Sequence, residues 1–246
     1  MIRRGLLPGL LLAAALCLGG GAAVAQEFSI DLGGDGALSS RTIQLFLLIT
    51  VLSLAPGIAI MVTCFPFIIT VLSILRQAIG LQQAPPNMLI TSLAMFLTFY
   101  VMEPVFLQAW STGISPYLDG EIDEALAMQN TLEPFRTFMA QRVDADTFAA
   151  LAELRQVEGE RVPTPASPLS VMVPSFLLSE MARAFQVGFL IFMPFLIIDL
   201  VVAAVLMSMG MMMVPPAIVS LPFKLSFFVV ADGWALITTS LVRGYL

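Results

Sequence analysis

Histidine is absent from this chain, and its 246 residues include only two cysteines. Without an imidazole, a Ser-His-Asp triad, a zinc site built on His and Cys, and haem held by His are all excluded. Charge is scarce as well: Asp, Glu, Lys and Arg make up 11% of the chain against 59% hydrophobic residues, at mean hydropathy +0.95. Soluble domains carry about 25% charged residues, so a membrane frame is the right one. The net charge of −6 argues against nucleic acid as a partner, and the lysines and arginines are too scattered to form a polybasic stripe along the sequence. No G-x-x-x-x-G-K-[ST] phosphate loop occurs, so the chain does not hydrolyse nucleotide itself. Asp31-Leu32-Gly33-Gly34-Asp35-Gly36 faintly resembles a calcium loop but lacks the later glutamate, and reads as a flexible linker. The expectation is a protein with no enzymatic activity, no cofactor and no metal.

What is present begins with a secretory signal over residues 1–25. Arg3 and Arg4 give the basic start, Leu6 to Leu18 the apolar run, and Ala23-Val24-Ala25 a small-x-small cleavage site. An uncleaved first transmembrane helix is the other reading, which the short, glycine-rich run disfavours. Cleavage would remove Cys17 and leave Cys64 alone, so no intramolecular disulfide is expected. Residues 26–42 read as a flexible exported segment.

Four apolar blocks then flank one polar insert, which predicts an all-α chain of hydrophobic helical hairpins. The first block, Ile43 to Leu75, would be ~50 Å long as one helix, and Pro56-Gly57 and Pro66 are expected to kink or divide it. The second runs from Met88 to Trp110, closing a first hydrophobic region over 43–110. The third (Phe185 to Met209) and fourth (Val214 to Leu236) form a second hydrophobic hairpin within 174–246. Between them, residues 111–173 form the insert. From Ser111 to Ser170 it holds ten acidic residues and four arginines, which supplies most of the acidity. Glu133 to Val157 has helical spacing, and Pro163, Pro165 and Pro168 end the insert as an extended linker. A cleaved signal and two spans would place this insert on the outer, periplasmic side, as a solvated helical pair.

Two features of the second hairpin carry chemistry. Met207 and Met209 precede Gly210-Met211-Met212-Met213-Val214-Pro215-Pro216. Glycine permits unusual backbone angles and the prolines cannot continue a helix, so the methionines sit on a break in apolar sequence. Methionine is flexible and polarizable and conforms to irregular or changing surfaces. Such a cluster fits a soft ring around a conduit, although taken alone it reads more readily as a turn filling awkward space. The second feature is charge inside apolar blocks, at Asp199 and Lys224. In an antiparallel hairpin turning near Met211-Met212, these two are equidistant from the turn, and a charge pair is expected within one hairpin or between neighbouring copies. The same register sets Glu180 level with Arg243.

These residues carry a resemblance. Phe185-Gln186-Val187-Gly188-Phe189, Pro194-Phe195-Leu196-Ile197-Ile198-Asp199-Leu200-Val201, the Gly210 to Pro216 stretch, Leu221-Pro222-Phe223-Lys224-Leu225 and Asp232-Gly233-Trp234 closely resemble the bacterial flagellar biosynthetic protein FliP family. Leu75-Arg76-Gln77-Ala78-Ile79-Gly80 and Pro85-Pro86-Asn87 are similar to it as well. The resemblance implies a subunit of the flagellar type III export gate in the bacterial inner membrane at the flagellar basal body. In that family five copies assemble with FliQ and FliR, working with the export components FlhB and FlhA and with membrane lipid. It also implies a pore for unfolded flagellar substrates, closed by a gasket of Met211, Met212 and Met213 with Met207 and Met209 flanking. Glu180 and Arg183 are implied as intersubunit charges, although here the arginine stands three residues after the glutamate where the family usually has a basic residue at the second. The paralogous subunit of a virulence injectisome and a small ion-coupled transporter centred on Asp199 are the alternatives.

Overall fold

The computed structural model describes residues 37–81, 85–156, 162–211 and 213–245, and among these there are helices and turns but no strand. The signal sequence and the Asp31–Gly36 linker lie outside the described residues. Two compact units divide the chain between Val51 and Leu52. The described part of the first is a single apolar helical stretch, exposed at every side chain from 42 to 51. It belongs to α1 (Ala37–Met61), which keeps Pro56 in its interior. The helix ends instead at Val62–Cys64, and α2 (Phe65–Ile79) begins with Pro66 in its first turn. A proline there removes an N–H that has no helical acceptor anyway, so it starts a helix at little cost.

The second unit is organised around α2. Its buried residues Phe67, Ile68, Val71, Leu72, Leu75, Ala78 and Ile79 recur at helical spacing and form one broad apolar face. That face packs against α7 (Leu169–Ser208) and α3 (Asn87–Ala109), and α8 (Pro216–Val230) meets it as well. The α3 helix buries a narrow stripe (Ile90, Ala94, Thr98, Val101, Met102), while Phe96, Phe99 and Leu107 on its other faces stay exposed. A π-helical turn, Trp110–Ile114, then leads into the short α4 (Ser115–Leu118).

The insert is a helical pair, as expected, and differs from its expected form in how it is covered. Its helices are α5 (Glu124–Arg142) and α6 (Ala145–Leu154), split where Asp144 caps α6 by accepting from the Thr147 backbone N–H at 2.9 Å. It is packed rather than solvated all round. Met139, Val143, Phe148 and Ala152 form a second small core with Val171, Met172 and Phe176 of α7. Accordingly the boundary expected at 173/174 is absent: α7 runs unbroken through it for 40 residues, ~60 Å, with Pro174 and Pro194 inside. The fourth block is likewise two helices, α8 and α9 (Gly233–Arg243), bent by 61° at Ala231–Asp232.

Residues 42–61, 87–118 and 169–208 are each long and apolar enough to cross a membrane, and the bent α8–α9 pair would make a fourth span.

Candidate functional site

The α7–α8 hairpin brings the sequence features together. At its tip, α7 ends at Ser208, Gly210 takes a left-handed φ of +74°, and Pro216 opens α8. The methionines around this turn are not packing groups of the chain. Met207 and Met209 are exposed, Met211 is 42% exposed and Met213 97%; Met212 lies outside the described residues. An apolar side chain left in the open gains nothing from burial, so these residues contribute no core to this subunit.

About halfway along the hairpin, Lys224 Nζ donates to Asp199 Oδ2 at 2.6 Å and to the Ala78 carbonyl at 3.1 Å, and the Ser220 hydroxyl donates to Asp199 Oδ1 at 2.6 Å. Ala78 lies in the last turn of α2, where carbonyls lack helical partners and the helix dipole favours a cation. One ammonium thereby ties three helices. Lys224 is buried while Asp199 remains 31% exposed, so one edge of the pair faces outward from the subunit.

The second charged cluster joins the insert to α7. Glu180 is fully buried, and its Oε1 accepts from Arg142 Nε at 3.0 Å and Arg183 Nη1 at 2.8 Å. Oε2 accepts from the Tyr245 hydroxyl. Arg142 also donates to the Gly244 carbonyl at 3.0 Å and stacks on the Tyr245 ring at 3.8 Å. The expected level partner Arg243 is exposed, and the neighbouring Gly244 and Tyr245 reach Glu180 and Arg142 instead. Burial, followed by the adjacent Glu180 charge, raises the Tyr245 phenol well above its usual range, which keeps it a donor. Cys64, fully buried, has its thiol pushed up to about 12 by desolvation and is inert as a nucleophile.

A FliP family model matches residues 48–241. The chain belongs to the FliP family. The flagellar biosynthetic protein FliP of Caulobacter vibrioides is 48% identical to it, covering 99% of this chain and 92% of that protein. Those of Agrobacterium fabrum and Bacillus subtilis are 48% and 46% identical over 92% and 84% of the chain. As a FliP-family protein it is a flagellar export component and not an enzyme, with several apolar helices suited to membrane insertion.

Sequence reasoning about this FliP-family chain named Asp199, Lys224, Glu180 and Arg183 but missed Ser220, Ala78, Arg142 and Tyr245. Ser220 was findable, since it lies one helical turn before Lys224 on the same face. Arg142 and Tyr245 reach Glu180 from 38 and 65 residues away, and no local spacing announces such contacts.

Proposed function

We propose that this chain is a pore-forming subunit of the flagellar protein export gate in the bacterial inner membrane. In this reading, copies of Met211, Met212 and Met213, flanked by Met207 and Met209, close around unfolded flagellar substrates. The observation that carries it is the exposure of the methionines at a glycine- and proline-broken hairpin tip. A soft thioether ring grips varied side chains without requiring particular hydrogen bonds, which suits a conduit for unfolded chains. Around five copies would form the ring, with FliQ and FliR as fellow subunits, FlhB and FlhA as export partners, and the insert on the periplasmic side. Asp199 and Lys224 would hold the hairpin rigid beneath the seal. The flagellar reading is favoured over an injectisome because the relatives named above are flagellar proteins. It is favoured over an ion-coupled transporter because Asp199 is already paired with the Lys224 ammonium and accepts from the Ser220 hydroxyl.

The test replaces Met211, Met212 and Met213 together with alanine in living cells. Small-ion leakage across the inner membrane is recorded beside substrate secretion. Leakage with the complex still assembled is expected. A tight membrane with normal secretion would return the methionines to a packing role and end the gasket reading.

A further inference from the structure

Helix α9 is fastened at its two ends and stands over a cleft between them. Of its 11 residues only Gly233 and Leu241 are buried. At the first end the Phe228 ring lies on Gly233, where an added Cβ would stand 2.2 Å from it, and meets Trp234 edge to face at 5.3 Å. At the other end Leu241 joins the main core, and Gly244 and Tyr245 follow. Between these points lies a cleft of about 340 Å³. Val187 and Ile191 of α7 form one wall, and Leu236, Ile237 and Ser240 of α9 the other. Close-packed interiors leave few gaps larger than a water molecule, so the middle of α9 is not seated on α7.

The two fastenings differ in kind. Asp232, just before α9, holds φ +48° and ψ +47°, a left-handed conformation that few residues other than glycine adopt, and its side chain caps no N–H of the helix. The 61° bend between α8 and α9 is concentrated there. Single element-terminal residues of this kind are where helices pivot. The far end is held instead by side chains of other elements. Arg142, the last residue of α5, donates to the Gly244 carbonyl at 3.0 Å and covers the Tyr245 ring at 3.8 Å. The Tyr245 hydroxyl donates to Glu180 of α7, and its ring meets Phe67 of α2 edge-on at 5.5 Å and stacks on Phe138 of α5 at 6.1 Å. All of these contacts are made beyond the last residue of α9, so they can part without breaking a hydrogen bond inside the helix. We propose that α9 is a hinged strap, pivoting at Asp232 and latched at Gly244–Tyr245, whose catch is carried by the insert through Arg142. Displacing the insert releases the strap and opens the cleft.

The strap depends on contacts within one subunit, so it stands or falls apart from the gate reading. The test places a thiol beneath it, Ile191→Cys on the α7 wall, in the full chain extracted in its assembled form with mild detergent. Cys17→Ser removes one native thiol, and the fully buried Cys64 stays as an internal control for loss of the core. Reaction with a maleimide too bulky for the closed cleft is followed by mass spectrometry. With the latch intact, position 191 should react slowly. Tyr245→Ala should raise its rate at least about tenfold, the equivalent of one charge-assisted hydrogen bond, while Cys64 stays unreacted. Tyr245→Phe keeps the ring contacts and should raise the rate less. Arg142→Gln changes only the insert and leaves Glu180 paired with Arg183, and it too should speed the reaction at 191. A wild-type rate at 191 in Tyr245→Ala overturns the latch. The same result in Arg142→Gln alone removes the catch from the insert. Cys64 reacting in step with position 191 shows general unfolding in place of a hinge, and overturns the strap.

Discussion

Replacing Glu180 should be the most damaging single change in the insert–α7 junction. Its carboxylate is completely buried and accepts from Arg142, Arg183 and Tyr245. Glu180→Ala removes the carboxylate that bridges Arg142 and Arg183 and strips the Tyr245 hydroxyl of its acceptor. Arg183, 37% exposed, can turn to water, so its share of the loss is under about 1 kcal/mol. Arg142 cannot, being 16% exposed and held under the Tyr245 ring. Breaking a buried ion pair from one side costs about 3–5 kcal/mol, chiefly through the charge left behind. For a chain of this size, 1 kcal/mol moves the melting point by about 2–4 °C, giving a fall of roughly 6–20 °C for Glu180→Ala. Glu180→Gln keeps the shape and one acceptor, loses the charge assistance, and should cost about 1.5–3 kcal/mol. Arg183→Gln should cost the least of the three. The assay is thermal unfolding of each purified variant in the same detergent, followed by tryptophan fluorescence. A Glu180→Ala melt equal to wild type, or an Arg183→Gln melt below that of Glu180→Ala, would refute this ranking and the burial argument behind it.

Two further changes probe the hairpin and its packing. Lys224→Asp or Asp199→Lys alone should cost about 2–5 kcal/mol and deplete the assembled complex on native gels. The double reversal should recover part of it, not all, since the Ala78 carbonyl would then face a carboxylate; a double reversal as depleted as the singles would rule out direct pairing. At Gly188 an added Cβ would stand 2.4 Å from Ile74 Cδ1 and 3.1 Å from its Cγ2. Gly188→Ala should therefore lower stability by about 1–3 kcal/mol, where an open helix site would gain. Adding Ile74→Ala should return part of that loss, and a Gly188→Ala melt at or above wild type would show that α2 and α7 are not in such close contact.

The sequence shows where apolar material lies more clearly than where helices begin. Phe185 opens the third block by hydropathy, yet α7 starts at Leu169. The difference lies in Ser175, Ser179 and Glu180, which lower the local hydropathy but point inward. Ser175 bonds back to the Val171 carbonyl, and Ser179 accepts from the Asp144 backbone N–H. A polarity scale reads them as solvated, whereas the insert covers them. Glu133 opens the helical spacing read from the insert, while α5 begins nine residues earlier, behind the Asp123 cap, and carries Pro134 inside. The Asp199–Lys224 geometry was accessible because a hairpin converts equal distance from a turn into equal depth. The Glu180 cluster was not, because it depends on how an insert folds back over a helix.

The distribution of polarity also bears on what surrounds the subunit. Glu180 and Asp199 are 19 residues apart on α7, about 28 Å of helix, close to the ~30 Å of a hydrocarbon core. Length alone would let lipid surround that stretch. Asp199 argues for a different neighbour on its own face, since it retains 31% exposure after Lys224 and Ser220 have bonded to it. A partly bare carboxylate facing acyl chains is costly, and such groups normally turn to a protein surface or a water-filled cavity. The exposed methionines lie further along the same hairpin. The side of α7 and α8 that shows Asp199 is therefore the side on which a protein neighbour or an aqueous path is to be sought. The few charges on this long helix thus say more about its surroundings than its hydropathy does: Glu180 is enclosed by the subunit itself, whereas Asp199 looks outward.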